Sequence, residues 1–168
     1  MKIPAYSIFL WILVGMLNPV KAQTAEDYFN SALEKHKFGD YKGAINDLDI
    51  ALKLNPEDAM AYYNRGIAKG CLDDEIGAIK DFDKVIELNP DDADAYFCRG
   101  LAKHRLQDYR GAIKDYNVAI DHNPRYAIAY YARGVTKIEL GDTNAGYMDM
   151  KTADDLGKHG AIPKRKDF

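Results

Sequence analysis

The sequence predicts an all-α fold in which helix-turn-helix units of about 34 residues stack one after another. Two phrases recur with this period: GDYKGAI, DDEIGAI and QDYRGAI at 39–45, 73–79 and 107–113, and AYYNRGIAK, AYFCRGLAK and AYYARGVTK at 61–69, 95–103 and 129–137. Asn-Pro pairs keep the same spacing at 55–56, 89–90 and 123–124. A constant period of this length is typical of a helical-repeat array, because each unit covers the apolar face of its neighbour.

Four blocks align without a gap when each starts at an alanine: 25–58, 59–92, 93–126 and 127–160. An aspartate at the turn of each block is the expected N-cap of the second helix, because its short side chain accepts from a free amide. These residues are Asp40, Asp74, Asp108 and Asp142. Gly39 and Gly141 precede two of the caps and suit a left-handed turn. Asp73 and Gln107 hold that place in the other blocks and suit it less well.

The ends of the array are also marked. Thr24 and Asp27 form a capping-box pattern, which predicts that the first helix starts at Ala25. An Asn-Pro pair ends the second helix of the first three blocks, because proline lacks an amide hydrogen and disfavours helix at the preceding residue. Lys158 stands at this place in the fourth block.

The fourth block is predicted to cap a four-repeat domain that spans residues 23–160. A terminal repeat needs a polar outer face. The residues that stand where apolar ones would face a further repeat are Gly146, Tyr147, Asp154 and Asp155.

Small residues recur on both helices of the blocks and predict close helix packing. Glycine inside a helix costs up to about 1 kcal/mol relative to alanine, so its recurrence indicates a packing requirement. The positions are Ala32, Gly66, Gly100 and Gly134 on the first helices, and Ala44, Ala78, Ala112 and Gly146 on the second.

Residues 1–22 have the layout of a secretory signal peptide. Lys2 precedes an apolar run over residues 8–17, and residues 20–22 form a cleavage pattern before Gln23. The run has ten residues, whereas a membrane-spanning helix needs roughly 20. We expect an exported protein, periplasmic or secreted, without membrane association once the leader is removed; a retained anchor is the alternative.

Without residues 1–22 the chain has 21 basic and 26 acidic residues, a net charge of −5. Binding of nucleic acid depends on clustered lysine and arginine, so this balance argues against it. The one basic run, 164–166, lies in the C-terminal tail, residues 161–168, and is interpreted as a solvated terminus.

No catalytic or metal-binding pattern occurs in the sequence. The four histidines and two cysteines never come at ligand spacing. We expect no enzyme activity, cofactor, metal or small-molecule substrate. Cys71 and Cys98 lie on adjacent first helices with an axial offset of roughly 10 Å. A disulfide needs Cα atoms within about 7 Å, so free thiols are favoured over a bond.

Charged residues recur with the same period. The acids are Asp47, Asp81, Asp115 and Asp149, and the bases are Arg65, Arg99 and Arg133. A set copied into successive repeats indicates structural ion pairs between packed helices. We expect each arginine to reach the aspartate of the preceding block, as in Arg65 with Asp47, Arg99 with Asp81, and Arg133 with Asp115. Pairing within a block, as in Arg65 with Asp81, and solvated, unpaired charges are the alternatives.

These features together resemble the tetratricopeptide repeat (TPR) family, in the subtype with an Arg-Gly pair in the first helix. The pairs are at 65–66, 99–100 and 133–134, and the resemblance covers residues 25–157. It implies a right-handed α-solenoid whose first helices line a concave face.

The resemblance also implies which residues face that side: the second, fifth, ninth, twelfth and thirteenth of each block. The fifth residues are Phe29, Tyr63, Phe97 and Tyr131, and the ninth are Leu33, Ile67, Leu101 and Val135. An aromatic residue followed four positions later by an aliphatic one forms a continuous apolar stripe. The stripe is a candidate peptide-binding groove, with packing between neighbouring first helices as the alternative.

Some TPR proteins hold the acidic C-terminus of a chaperone with Lys, Asn and Arg side chains on successive first helices. Here Asn64 matches that pattern and is kept as a candidate groove residue. The other places are occupied by Phe29, Leu33, Asp94 and Cys98. A clamp for a peptide carboxylate is therefore not expected.

The sequence thus favours an exported scaffold that binds an extended or helical segment of a protein partner. The second hypothesis is a structural module that associates with itself or with an envelope assembly through its convex or terminal surfaces. A helical repeat that binds RNA is disfavoured by the acidic balance, and an enzyme by the lack of a catalytic pattern.

Overall fold

The computed structural model describes residues 23–157, so the predicted signal peptide and basic tail lie outside the described residues. This part of the chain forms eight helices in four pairs. The first helices are α1 (Ala25–Lys37), α3 (Ala59–Gly70), α5 (Ala93–Arg105) and α7 (Ala127–Glu139), and the second are α2 (Tyr41–Leu54), α4 (Glu75–Leu88), α6 (Tyr109–His122) and α8 (Thr143–Gly157). Each first helix starts at the alanine that opens its block.

Short polar side chains start most of these helices, as predicted. Thr24 and Asp27 form a reciprocal capping box at α1. At each of the turns within a pair an aspartate accepts from an amide three residues on, at 2.9 Å in the first three pairs and 3.3 Å in the fourth. The sequence reasoning missed a second set, in which Asp58 and Asp92 cap α3 and α5. Tyr126 stands at the equivalent place before α7 and makes no such bond.

The turn conformations and the C-terminal ends of the helices also agree with the prediction. Gly39 and Gly141 have φ of 78° and 98°, and Asp73 and Gln107 are forced into the same left-handed region at 61° and 62°. That conformation costs a residue with a Cβ roughly 1–2 kcal/mol. The helices before the three Asn-Pro pairs end where expected, with Asn55, Asn89 and Asn123 as C-caps.

The helices stack in chain order. Each packs on the next, and each first helix also touches the first helix of the following pair, whereas no such contact joins second helices within residues 23–157. The array therefore curves with α1, α3, α5 and α7 on its inner side. None of the helices in this part of the chain is long and apolar enough to cross a membrane.

The glycines permit close packing for two different reasons. At the fourth pair, a Cβ on Gly134 would lie 2.7 Å from the carbonyl oxygen of Gly146, so backbone meets backbone. At the second and third pairs the neighbour is an aromatic ring: Phe82 lies 2.9 Å from a Cβ built on Gly66, and Tyr116 lies 2.6 Å from one built on Gly100. Gly66 and Gly100 thus leave room for an aromatic ring of the second helix, in addition to the predicted close approach of the helices.

Gly134→Ala is expected to destabilise the protein by roughly 1–3 kcal/mol, because the added methyl group forces two backbones apart. Gly70→Ala is the matched control. Its Cβ would meet nothing closer than 3.6 Å, so the change should stabilise α3 by up to about 1 kcal/mol. Urea denaturation followed by far-UV circular dichroism measures both, and equal effects of the two variants would contradict the packing account.

The fourth pair ends the described array, but one residue was misassigned. Gly146 is buried against Gly134 and Ile138 inside the pair, so it does not belong to the outer face. Asp154 and Asp155 are exposed, as a capping repeat requires. Tyr147 is exposed as well, and so is its neighbour Met148, so the last pair exposes large apolar side chains in addition to acidic ones.

Candidate functional site

An ion-pair ladder joins the helices, but the expected pairing with the preceding repeat is wrong. Arg65 donates through Nε and Nη2 to both oxygens of Asp81, at 3.0 and 2.6 Å, so the arginine pairs with the aspartate of its own repeat. Arg99 holds Asp115 in the same way, at 2.9 and 2.7 Å. In the fourth repeat Arg133 holds Asp149 at 2.8 and 2.7 Å. These two-pronged bonds tie each first helix to the second helix of the same pair.

The third nitrogen of each arginine, Nη1, donates a hydrogen bond to the preceding repeat. The sequence reasoning missed the residues that accept these bonds. In Arg65 this nitrogen donates to Asp49 at 2.6 Å, and in Arg99 it donates to Asp83 at 2.7 Å. From Arg133 it donates to Asn117 at 2.6 Å. These acceptors recur at the repeat period, so the signal was present in the sequence.

A lysine four residues after each arginine completes the ladder. Its Nζ lies 2.8 Å from the same buried carboxylate, and the guanidinium lies over a tyrosine ring at 5.2–5.3 Å. The first repeat has no arginine, and Ser31 and Lys35 bond Asp47 instead, each at 2.6 Å. The ladder thus has a structural role, because its bonds join the two helices of a repeat to each other and to the preceding repeat.

The carboxylates at the two ends of the ladder are held in their charged form. Burial by itself would raise the pKa of Asp149, but the hydrogen bonds and charges of Arg133 and Lys137 outweigh it and lower the pKa. At Asp47 burial is likewise outweighed, by the hydrogen bond and charge of Lys35 among others, and the pKa is lowered.

Acid should therefore weaken the fold through these groups. A carboxyl group whose folded pKa lies below its unfolded value contributes stability above the unfolded pKa, about 3.9, and loses it as the pH falls through the folded pKa. We expect the melting temperature to fall most steeply below about pH 4. Asp149→Asn should flatten this dependence, and an unchanged slope in that variant would show that its ion pair contributes nothing.

The predicted groove residues lie on the inner side of the array at different depths. Phe29, Tyr63 and Tyr131 are half-buried, and Leu33 is exposed. Phe97 is only 6% exposed, because its ring packs against those of Tyr116 and Tyr126, with centroids 5.9 and 5.2 Å away. Phe97 is thus part of the core, and the packing alternative applies at this position.

Between the second and third repeats the groove deepens into a cavity of about 120 Å³. Ile67 and Leu101 line it, as does Cys98, whose Sγ lies 3.4 Å from the hydroxyl of Tyr63. Burial raises the pKa of the Cys98 thiol to about 11, so the thiol stays protonated at neutral pH. Cys71 lines the same cavity, and both cysteines are free.

The remaining candidate groove residues differ in how free their side chains are to contact a ligand. Val135 is half-buried on α7. Asn64 donates its amide to the carbonyl oxygen of Met60 at 2.8 Å, so its side chain is engaged within α3. Met60 itself is 57% exposed at the start of the same helix. It is the second residue of its block, a position that the resemblance placed in the groove, but the candidate set did not include it.

The histidines of residues 23–157 pack on aromatic rings, His36 on Tyr41, His104 on Tyr109 and His122 on Tyr96. His104 contacts Thr136 at 2.9 Å through Nδ1 and lies 3.4 Å from Glu139 through Nε2. Within residues 23–157, no group of three or more His, Cys, Asp or Glu side chains is arranged to hold a metal ion.

A curved stack of helix pairs with an apolar inner face defines a helical-repeat scaffold for protein-protein interaction. The TPR repeat family model matches residues 33–70, 77–107 and 100–141. These segments cover more than half of the chain, so the chain belongs to the tetratricopeptide repeat family. This fold is generally non-catalytic, which agrees with the lack of a catalytic pattern.

Solved structures support the same right-handed solenoid. MamA 41-end from Desulfovibrio magneticus RS-1 is 22% identical with a TM-score of 0.79, over 93% of this chain and 88% of that one. The first TPR of Spaghetti (RPAP3), bound to the HSP90 peptide SRMEEVD, is 25% identical with a TM-score of 0.69, over 73% and 97%. The Arabidopsis OM64 TPR domain is 26% identical with a TM-score of 0.67, over 69% and 96%. No curated protein matches the chain by sequence.

Proposed function

We propose that the chain is exported and acts as a scaffold that binds a segment of a partner polypeptide in its concave groove. The observation that supports this most is the inner face itself, where half-buried aromatic and aliphatic side chains border an open cavity. Apolar side chains around a concavity, with few polar groups, are typical of binding sites. The solved RPAP3 domain holds a peptide, which makes a peptide the natural class of ligand.

The mode of binding should differ from recognition of an acidic C-terminus. In the groove Asn64 bonds its own helix, and Asp94 is exposed and accepts from the hydroxyl of Tyr126. A carboxylate on Asp94 would repel an acidic peptide. We therefore propose that aromatic and aliphatic contacts provide most of the affinity, and that the partner segment is mainly apolar.

Tyr63→Ala tests this function. Truncating a central aromatic anchor typically costs about 2 kcal/mol, a roughly thirtyfold loss of affinity. Ile76, which is exposed on the second helix α4, supplies the control Ile76→Ala. Partner segments captured by the full chain from an envelope extract would be identified, synthesised and titrated by calorimetry. Equal affinities for the chain and the folded Tyr63→Ala variant would place binding outside the groove.

Export is proposed from the sequence of residues 1–22 alone. N-terminal sequencing of the protein recovered from the envelope or the medium should find Gln23 first. A membrane-bound product that retains Met1 would instead identify the segment as an anchor.

A second candidate is end-to-end self-association, supported by the exposure of Tyr147 and Met148 on α8. Large apolar side chains that stay exposed at the end of an array are typical of an interaction surface. Light scattering of the full chain over a range of concentrations separates the two candidates, because stacking makes the apparent mass rise with concentration and Met148→Lys should reverse the rise.

A further inference from the structure

The three junctions between neighbouring repeats are built from equivalent positions but differ at the centre. In the first junction the ring of His36 packs on Tyr41, with centroids 5.1 Å apart. In the third, the ring of His104 packs on Tyr109 at 5.3 Å. The central junction has Gly70 at the histidine position and Glu75 at the tyrosine position, so it holds neither ring.

The missing ring produces the cavity. Gly70 and Glu75 line it, together with apolar side chains from three helices. A Cβ on Gly70 would lie 3.6 Å from Nη1 of Arg105 and 3.9 Å from Oε2 of Glu75, which are ordinary contact distances. Close packing therefore does not require glycine at this position, in contrast to Gly134.

Glu75 adds a polar group to this apolar cavity. Its side chain is 8% exposed, and its Oε1 accepts from Nη1 of Arg105 at 3.0 Å. Its Oε2 is buried and has no hydrogen-bond partner among the described residues. A buried carboxylate oxygen without a donor is costly, and each such atom in a native protein calls for an explanation.

We infer that the central junction receives a histidine side chain of the partner polypeptide, whose neutral imidazole donates an N–H bond to Oε2 of Glu75. This inference rests on the proposed function, because the candidate groove residues Ile67 and Leu101 line the cavity. The array already seats its own imidazole at the equivalent place in the third junction, where Nε2 of His104 faces the carboxylate of Glu139 at 3.4 Å.

Size and charge favour a neutral ring over other donors. An apolar cavity of roughly 150 Å³ can hold benzene, so a cavity of about 120 Å³ suits a five-membered ring. The guanidinium of Arg105 already neutralises Glu75 and would repel the ammonium group of a lysine. The neutral imidazole of a histidine is a flat five-membered ring with an N–H donor, so it satisfies the conditions on both size and charge.

Imidazole itself is the probe. It is titrated at constant pH and ionic strength into the ¹⁵N-labelled full chain, and we expect saturable shifts of the amide signals of Gly70, Glu75 and Cys98. Gly70→His places the chain's own ring in the cavity and should abolish these shifts. Glu75→Gln removes the charged acceptor and should weaken imidazole binding roughly tenfold. Benzene, which has no N–H, should bind the chain and Glu75→Gln equally.

The inference is overturned if imidazole produces no saturable shifts at these amides, or if Glu75→Gln leaves its affinity unchanged. Should Gly70→His fail to fold, Glu75→Gln decides alone, because it preserves the shape of the side chain. If imidazole does not bind but Tyr63→Ala still weakens the partner, the inference fails and the proposed function stands. If imidazole binds as expected but the groove retains no polypeptide, the proposed function fails.

Discussion

Replacing Phe97 with alanine is expected to lower the free energy of unfolding by about 3–5 kcal/mol, as for other buried phenylalanines. The ring is 6% exposed and packs between Tyr116 on α6 and Tyr126, the last residue of the third repeat and the N-cap of α7. Its loss leaves a cavity at the joint between these repeats. Urea denaturation of the full chain, followed by far-UV circular dichroism, measures the effect.

Phe29→Ala is the matched control, because Phe29 occupies the equivalent place in the first repeat and is only half-buried. Its truncation should cost clearly less than that of Phe97. If Phe97→Ala proves as mild as Phe29→Ala and instead lowers partner affinity, Phe97 belongs to the binding surface and not to the core.

Replacing Asp115 with alanine should cost about 3 kcal/mol, the lower end of the range for breaking a buried ion pair. The carboxylate is 5% exposed and is shared by Arg99 and Lys103, so its removal takes the buried acid away from both cations and leaves Arg99 with the exposed Asp83. The lower end applies because the two cations retain some contact with water. The measurement is again equilibrium unfolding in urea.

Asp83→Ala supplies the comparison, because Asp83 bonds the same guanidinium but is 52% exposed. Loss of an exposed partner should cost less than about 1 kcal/mol. Similar losses for the two aspartates would mean that the ladder stabilises through solvent-exposed attraction, and that the buried two-pronged bond has no special weight.

The helix boundaries could be predicted from the sequence because local chemistry sets them. Asp40 and Asn55 act on backbone groups within a few residues, so their effect does not depend on tertiary structure. The constant repeat period then determined the pairing of helices, since each block repeats the same local signals.

The partners of the ladder could not be predicted in the same way. Arg65 lies almost midway in the sequence between Asp47 and Asp81, and the constant repeat period makes both assignments equally regular. The choice depends on the angle between packed helices. The hydrogen-bond capacity of arginine was also underestimated, because its third nitrogen reaches Asp49 in the preceding repeat.

The burial of Phe97 in the candidate groove depends on Tyr126, a residue that departs from the repeat pattern. Tyr63 and Phe97 hold equivalent places, but only Phe97 is covered by Tyr126, which replaces the capping aspartates Asp58 and Asp92. The sequence shows this substitution, but only the packed structure shows where the ring of Tyr126 comes to lie. The same holds for Gly70, whose missing side chain becomes a cavity only between assembled repeats.

Oxidation footprinting of the full chain with and without its partner segment tests the groove most directly. Met60 and Met148 serve as internal probes, because they are 57% and 73% exposed, the first on α3, which carries part of the proposed groove, and the second on α8. Binding in the groove predicts that the partner slows oxidation of Met60 to the sulfoxide and leaves Met148 unchanged. Protection of Met148 with no change at Met60 would contradict the groove and place the interaction at the end of the array.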